Sequence, residues 1–379
     1  MIWQTGSDVI RARWALDPSV SYLNHGSFGA TPRTVLAVQA RLRAEMEAEP
    51  VQFLGRSLPA RLLEVRTRVA SFVGADVRGL ALVTNATQGV NTVLHAMDWH
   101  PGDEVIIADH GYHAVKQAVR YLGDRFGVVF VPAVVPFPVD NPGQIADAFA
   151  RAISPRTRLI IADHITSATA IIFPVAEIIR RAGSIPVLVD GAHAPGMVPL
   201  ELEQLGAAFY TGNLHKWVCA PKGCALLWVA PEWRDRVHPT VISHGYGLGM
   251  DEEFDWTGTF DPTAWLAIPS ALDHYEELGG EAVRANNHAL VRGGRVAIAE
   301  ALGVTLPHPD DRALYGSIAA IPYPSGGNGV ELTRRLFEAH RIEVPFTQYD
   351  HRVWVRISGQ AYNSPAEYAR LAEILSRPI

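Results

Sequence analysis

Residues 80–131 read LALVTNATQGVNTVLHAMDWHPGDEVIIADHGYHAVKQAVRYLGDRFGVVFV. Three short apolar runs, LALVT (80–84), EVIIA (104–108) and GVVFV (127–131), alternate with two amphipathic stretches of helical length. None of the runs alternates strictly between apolar and polar residues, the pattern of strands covered on both faces. Strand, helix, strand in this order implies crossover connections and a mostly parallel sheet, an α/β fold. The pattern continues in RLIIAD (158–163), PVLVD (186–190), AAFYT (207–211) and CALLWV (224–229), with VAEIIRRAG (175–183) as an intervening helix. CALLWV follows AAFYT without a full crossover helix, so an antiparallel strand is expected there. The expectation is a seven-stranded, mostly parallel sheet covered by helices.

The pattern changes after about residue 265. A long helical stretch, 263–303, leads to a compact end, VWVRISGQAYNSPAEYARLAEILSRPI (353–379). This predicts a large domain over 16–269 and a smaller α+β domain over 270–379, joined by residues 1–15. Residues 40–75 read as two helices broken near Pro50.

Net charge is −6 and the sequence pI about 6.2, so no broad basic surface argues for nucleic acid or an anionic membrane. The start, MIWQTGSDVIRARW, lacks the profile of a signal peptide. No run approaches the roughly 18 apolar residues of a membrane span. The two cysteines, Cys219 and Cys224, suit a reduced compartment better than a disulfide. A soluble cytoplasmic protein is expected.

Ligands of open α/β sheets gather beyond the carboxyl ends of the strands. After LALVT come Thr87 and Gln88 at a helix start, a place for phosphate or simply a cap. After EVIIA comes Tyr112, able to stack on a flat ring; His110 and His113 nearby have no further ligand at metal spacing, so no metal is expected. After RLIIAD comes Ser167. Asp190 ends PVLVD, with His193 three residues on. Lys216, in GNLHKW (212–217), sits between two apolar runs, either snorkelling from a turn or buried with a lowered pKa, as Schiff-base lysines are. Each has an ordinary structural explanation. Together they match an aldehyde cofactor with a pyridine ring and a phosphate, which needs a lysine, an acid, an anion nest and a stacking ring.

The motifs YLNHGSFG (22–29), NATQGVN (85–91), VDGAHA (189–194), GNLHKW with CAPKG (212–223) and WTGTFDPTAWLAIP (256–269) resemble class V aminotransferase-like, fold-type I pyridoxal-phosphate enzymes. The nearest resemblance is to the isopenicillin N epimerase-like subgroup, which includes the C–S lyases of ergothioneine synthesis. It covers about 20–275 and resumes near VWVRISGQAYN. The resemblance implies pyridoxal phosphate as cofactor, Lys216 as its attachment point, Asp190 as partner of the pyridine nitrogen, and His193 and Ser167 near the ring hydroxyl. It implies Tyr112 in the stacking position. Thr87, Gln88, Asn213 and His215 would hold the phosphate, with Thr259 lent by the second chain of a homodimer. Arg356 would grip the substrate carboxylate, with Asn24, His25 and Arg56 as further substrate contacts.

The reaction is read less sharply. Epimerisation of an amino acid or its derivative is the leading expectation, with His25 or His113 as proton donor on the face opposite Lys216. A C–S β-lyase or an aminotransferase is the alternative. The stretch DHGYHAV (109–115) departs from the subgroup's usual Glu-Tyr-Gly pattern. A cysteine desulfurase is not expected, because RIEVPFTQYDHRVWVRIS (341–358) contains no cysteine and Cys219 and Cys224 read as structural. A cofactor-binding protein without catalysis would be expected to lose Lys216, Asp190 or Arg356, and all three are present.

Overall fold

The computed structural model describes residues 3–377. Residues 1–2 and 378–379, the outermost part of the expected small domain, lie outside the described residues. In chain order the strands are β1 (Ser21–Tyr22), β2 (Leu80–Val83), β3 (Glu104–Ala108), β4 (Val129–Ala133), β5 (Thr157–Asp163), β6 (Val187–Asp190), β7 (Phe209–Asn213) and β8 (Ala225–Val229). They continue with β9 (Ile318–Tyr323), β10 (Ile342–Glu343), β11 (Phe346–Tyr349) and β12 (Arg352–Ser358).

β2 to β8 form one seven-stranded sheet in the order β2-β8-β7-β6-β5-β3-β4. β8 runs antiparallel to both neighbours and every other pair is parallel. Val105, Ile107, Ile161 and Leu188 enter one core, while Ile106, Ile160 and Val189 enter the other. Burial on both faces is why these runs carry no alternation. Two strands sit two residues later than the sequence pattern placed them. Gly127, at φ 73°, ends the helix His113–Phe126 and delays β4. β4 then takes in Pro132, tolerated because it pairs only with β3 at the sheet edge.

A second, antiparallel sheet, β11-β12-β9, packs with the helices Glu281–Leu302 and Pro365–Leu375 around a core that includes Ile298, Ile321, Val355 and Leu371. The N-terminal segment joins through Trp14, set edge-on against His274 and Tyr362. Gly279 and Gly280, at φ 85° and 50°, break the long helical stretch into Ile268–Glu277 and Glu281–Leu302. The first of these spans residues 269 and 270. Its Ile268, Ala271 and Leu272 belong to the main core and its Tyr275 to the N-terminal cluster, so the cores meet along a helix and not at a linker. Near Pro50 the helices Arg33–Ala48 and Leu58–Val73 are separated by a π-helical segment, Val51–Ser57. No helix among the described residues is long and apolar enough to cross a membrane.

Candidate active site

A cavity of about 640 Å³ opens where β5, β6 and β7 end, lined by Lys216, Asp190, Asp163, His193, Tyr112 and the start of the helix Ala86–His95. Lys216 comes to it from the tight turn between β7 and β8, in which Leu214 and His215 both donate their N–H groups to the Cys224 carbonyl. Its Nζ lies 3.1 Å from His193 Nε2. Burial, with Arg356 adding to it and Asp190 opposing, brings the Lys216 pKa down to about 7. An amine poised near neutrality is what attachment to an aldehyde and proton transfer both require. His193 is held neutral by burial and then by Lys216. Its Nδ1 has no partner among the described residues, an open valence that a bound ligand would fill.

Asp190 ends β6 and accepts the Ala192 N–H at 3.0 Å. Burial raises its pKa, while Ala192 and Lys216 work against that rise. Tyr112 immediately precedes the helix His113–Phe126, and its ring is 44% exposed at the cavity wall.

The anion end is a helix start. Asn85 caps the Gln88 N–H at 2.9 Å, and Asn213 Oδ1 accepts the Ala86 N–H at 2.9 Å, tying the helix to β7. A Cβ on Gly89 would fall 2.2 Å from Thr211 Oγ1, so the helix packs directly on that strand. Thr87 lines the cavity. Gln88 does not: its amide oxygen accepts both the N–H and the hydroxyl of Thr84, the residue before the cap Asn85, at 2.8 Å. His215 lines the cavity with its Nδ1 on the Cys224 carbonyl, and burial lowers its pKa to about 4.

Arg356 rises from β12 behind two serines. Its Nη1 donates to the Ser167 carbonyl at 2.7 Å and reaches the Ser167 hydroxyl at 3.2 Å; Nη2 donates to Ser27 Oγ at 2.7 Å. Ser27 in turn donates to Asn24, which reaches Glu343. The guanidinium is buried, its Nε has no partner, and burial lowers its pKa to about 10. No carboxylate among the described residues pairs with it, an arrangement that favours an incoming anion. Ser167 therefore serves this end of the cavity, with its hydroxyl on Arg356, and Asn24 stands one contact further back.

Besides Gln88, Asn24 and Arg356, which stands behind Ser27 and Ser167, four expected site residues do not line the cavity. The His25 ring is buried between the Tyr362 hydroxyl (2.8 Å) and the Lys216 carbonyl (3.0 Å), and burial lowers its pKa to about 3. It braces the backbone that carries Lys216 and presents no proton to the site. His113, exposed at the first turn of its helix, has Nε2 3.2 Å from Gln117. Arg56 is exposed on the π-helical segment and donates to Gln52. Thr259 is also exposed and does not line this chain's cavity. Cys219 and Cys224 are buried and free, and burial raises both thiols, Cys219 to about 12. Sequence reasoning passed over Asp163, Ser27 and Lys222, all of which line the cavity. For Asp163 a signal existed: it ends RLIIAD just as Asp190 ends PVLVD.

The donor set suits pyridoxal phosphate: a lysine near neutrality, a buried carboxylate, an unfilled ring nitrogen on His193 and a helix start. Residues 22–344 match the family model described as aminotransferase class-V. The chain is 35% identical to the isopenicillin N epimerase of Streptomyces clavuligerus, covering 96% of each. It is 33% identical to a putative L-cysteine desulfhydrase 1 of Oryza sativa subsp. japonica, over 95% of this chain and 83% of that one. Among solved structures, an apo cysteine desulfurase from Thermococcus onnurineus NA1 superposes with TM-score 0.83 at 20% identity, over 99% of this chain and 98% of that one. A C-DES variant with glycine covalently linked to its PLP cofactor gives 0.80 at 22%, over 97% and 98%. At such identities the solved structures speak to the fold alone. The expectation that this is not a cysteine desulfurase, drawn from the missing loop cysteine, is not supported: cysteine desulfhydrase relatives stand beside the epimerases.

Proposed function

Because the chain belongs to the aminotransferase class-V family, whose cofactor is pyridoxal phosphate, we propose that it removes the α-proton of an amino acid at Lys216 and carries the reaction through to loss of a β-substituent, as a C–S β-lyase. The cofactor, when bound, supplies an electron sink for charge at the α-carbon. Lys216 Nζ takes and returns the proton. Asp190 would pair with the ring nitrogen, and Thr87 with the helix start would hold the phosphate. Arg356, held by Ser27 and Ser167, orients the substrate carboxylate. Thr259 is assigned to the phosphate of the second chain in a homodimer.

One observation carries the choice of branch. β-Elimination needs a single proton-handling group beside the α-carbon, and Lys216 is that group. Epimerisation needs a second donor, and both histidines expected in that role lie outside the cavity lining, His25 behind the Lys216 backbone and His113 on the helix surface. The second reading, epimerisation, is favoured by the 35% identity to an isopenicillin N epimerase over 96% of both chains.

Proton NMR in D2O of the cofactor-loaded protein with L-cysteine, cystine and S-substituted cysteines separates the two. A lyase yields pyruvate together with a thiol, persulfide or sulfide. Loss of the α-proton signal with the side chain intact and no keto acid would overturn the lyase; chiral chromatography of the same sample then distinguishes epimerisation from simple exchange.

A further inference from the structure

Asp163 and Asp190 are register partners at the ends of the parallel strands β5 and β6, each 4% exposed, and both line the same cavity. Adjacent strands lie about 4.8 Å apart, so two carboxyl groups share one low-dielectric floor. Like charges at that separation do not both persist without cations. Neither carboxyl forms an ion pair among the described residues.

The two are not equivalent. Asp190 accepts the Ala192 N–H and feels Lys216. Asp163 faces Asp190 on one side and Lys116 on the other, but the Lys116 ammonium is held by the Asp109 carbonyl at 2.6 Å. Asp109 itself is turned away, accepting the Val135 N–H and the Tyr349 hydroxyl. Above Asp163 runs the Gly111–Tyr112 backbone: a Cβ on Gly111 would come 3.4 Å from Asp163 Oδ2.

We propose that Asp163 is a positioning residue of the cofactor site, present as the protonated acid at neutral pH, leaving Asp190 as the ionised member of the pair and supporting from below the Gly111–Tyr112 backbone that sets Tyr112 at the cavity wall. The floor then carries one negative charge, matched to one protonated ring nitrogen. Burial and the neighbouring Asp190 both push the Asp163 carboxyl well up, which agrees with the geometry.

The inference rests on the cofactor occupying this cavity, and Lys216→Ala tests that separately. If Lys216→Ala keeps the visible cofactor band, the site assignment fails whatever Asp163 does. With that control in place, two substitutions bear on Asp163. Asn keeps a neutral group of the same shape, so Asp163→Asn should bind pyridoxal phosphate within about twofold of wild type, with its visible band titrating at the same pH. Asp163→Ala removes the support under Tyr112 and should weaken cofactor binding by tenfold or more. The infrared difference spectrum of cofactor-free wild type minus Asp163→Asn at neutral pH should show a protonated carboxyl band. Loss of affinity in the Asn variant equal to that in the Ala variant would mean that an ionised group is needed, and would overturn the proposal. Unchanged affinity in the Ala variant, or no carboxyl band, would overturn it as well. Should the Ala variant not fold, the Asn titration and the infrared band still decide.

Discussion

Lys216 Nζ lies 3.1 Å from His193 Nε2, a contact between two nitrogens that holds only while at least one is uncharged. Burial lowers both pKa values, His193 well below its ordinary range and Lys216 to about 7 against an ordinary 10.5. Between those two values the unfolded chain binds a proton that the folded chain does not. The stability of the cofactor-free protein should therefore rise with pH across this window, by about 1.4 kcal/mol per unit from this group. Below about 7 the folded state also takes the proton and the contribution levels off. Urea midpoints for wild type and Lys216→Met measure it: the difference between them should grow in favour of wild type as pH increases. Parallel curves would show that the lysine is not desolvated.

Arg356 is buried, hydrogen-bonded to two serines and free of any carboxylate among the described residues. A lysine there keeps the charge but loses the planar fork. Arg356→Lys should raise KM for an amino-acid substrate by roughly ten- to a hundredfold, the value of charged hydrogen bonds worth about 1.5–3 kcal/mol. The visible cofactor band should persist. A parallel loss of cofactor would move this arginine to a different role.

The site was legible in the sequence where it depended on strand ends. Lys216, Asp190, Tyr112 and Thr87 follow directly from apolar runs that stop at polar residues, and the sheet brings them to one cavity. Contacts made across the fold were not legible. Whether His25 faces a ligand or the Lys216 carbonyl depends on how the N-terminal loop meets the β7–β8 turn, and local sequence carries no trace of that. Gln88 was misplaced for the opposite reason: its partner Thr84 is only four residues away, and that local contact took precedence over a ligand. Asp163 went unassigned because local sequence does not show which strands are neighbours, and only the sheet register sets its strand end beside Asp190. Strand limits shifted at β4 and β7, where apolar residues begin before the ladder does.

Gly29 meets the lysine turn from below. At φ 70° it adopts a left-handed conformation, and a Cβ there would come 2.0 Å from the His215 carbonyl oxygen and 3.0 Å from Lys216 Cα. Both are backbone atoms and cannot swing aside. Gly29→Ala should cost about 2 kcal/mol or more through strain and displacement. It should also weaken the visible band more than Gly102→Ala, where φ is 89° but nothing lies within 4 Å. Equal effects would mean that conformation alone matters and that the turn tolerates the push.

His25 and His113 give a direct test of the reaction branch, because they are the donors expected for epimerisation and their positions oppose that role. His113→Ala changes an exposed side chain whose hydrogen bond among the described residues is to Gln117, so kcat/KM should stay within about twofold, as for most surface substitutions. His25→Phe removes buried hydrogen bonds, those to Tyr362 and to the Lys216 carbonyl among them, and should destabilise the protein by roughly 2–4 kcal/mol. The product ratio should nevertheless remain that of wild type, since neither ring delivers a proton. Chiral analysis of residual substrate alongside keto-acid release reads this directly. If either variant kept α-proton exchange in D2O while losing formation of the opposite enantiomer, that histidine would be the missing donor and the enzyme an epimerase.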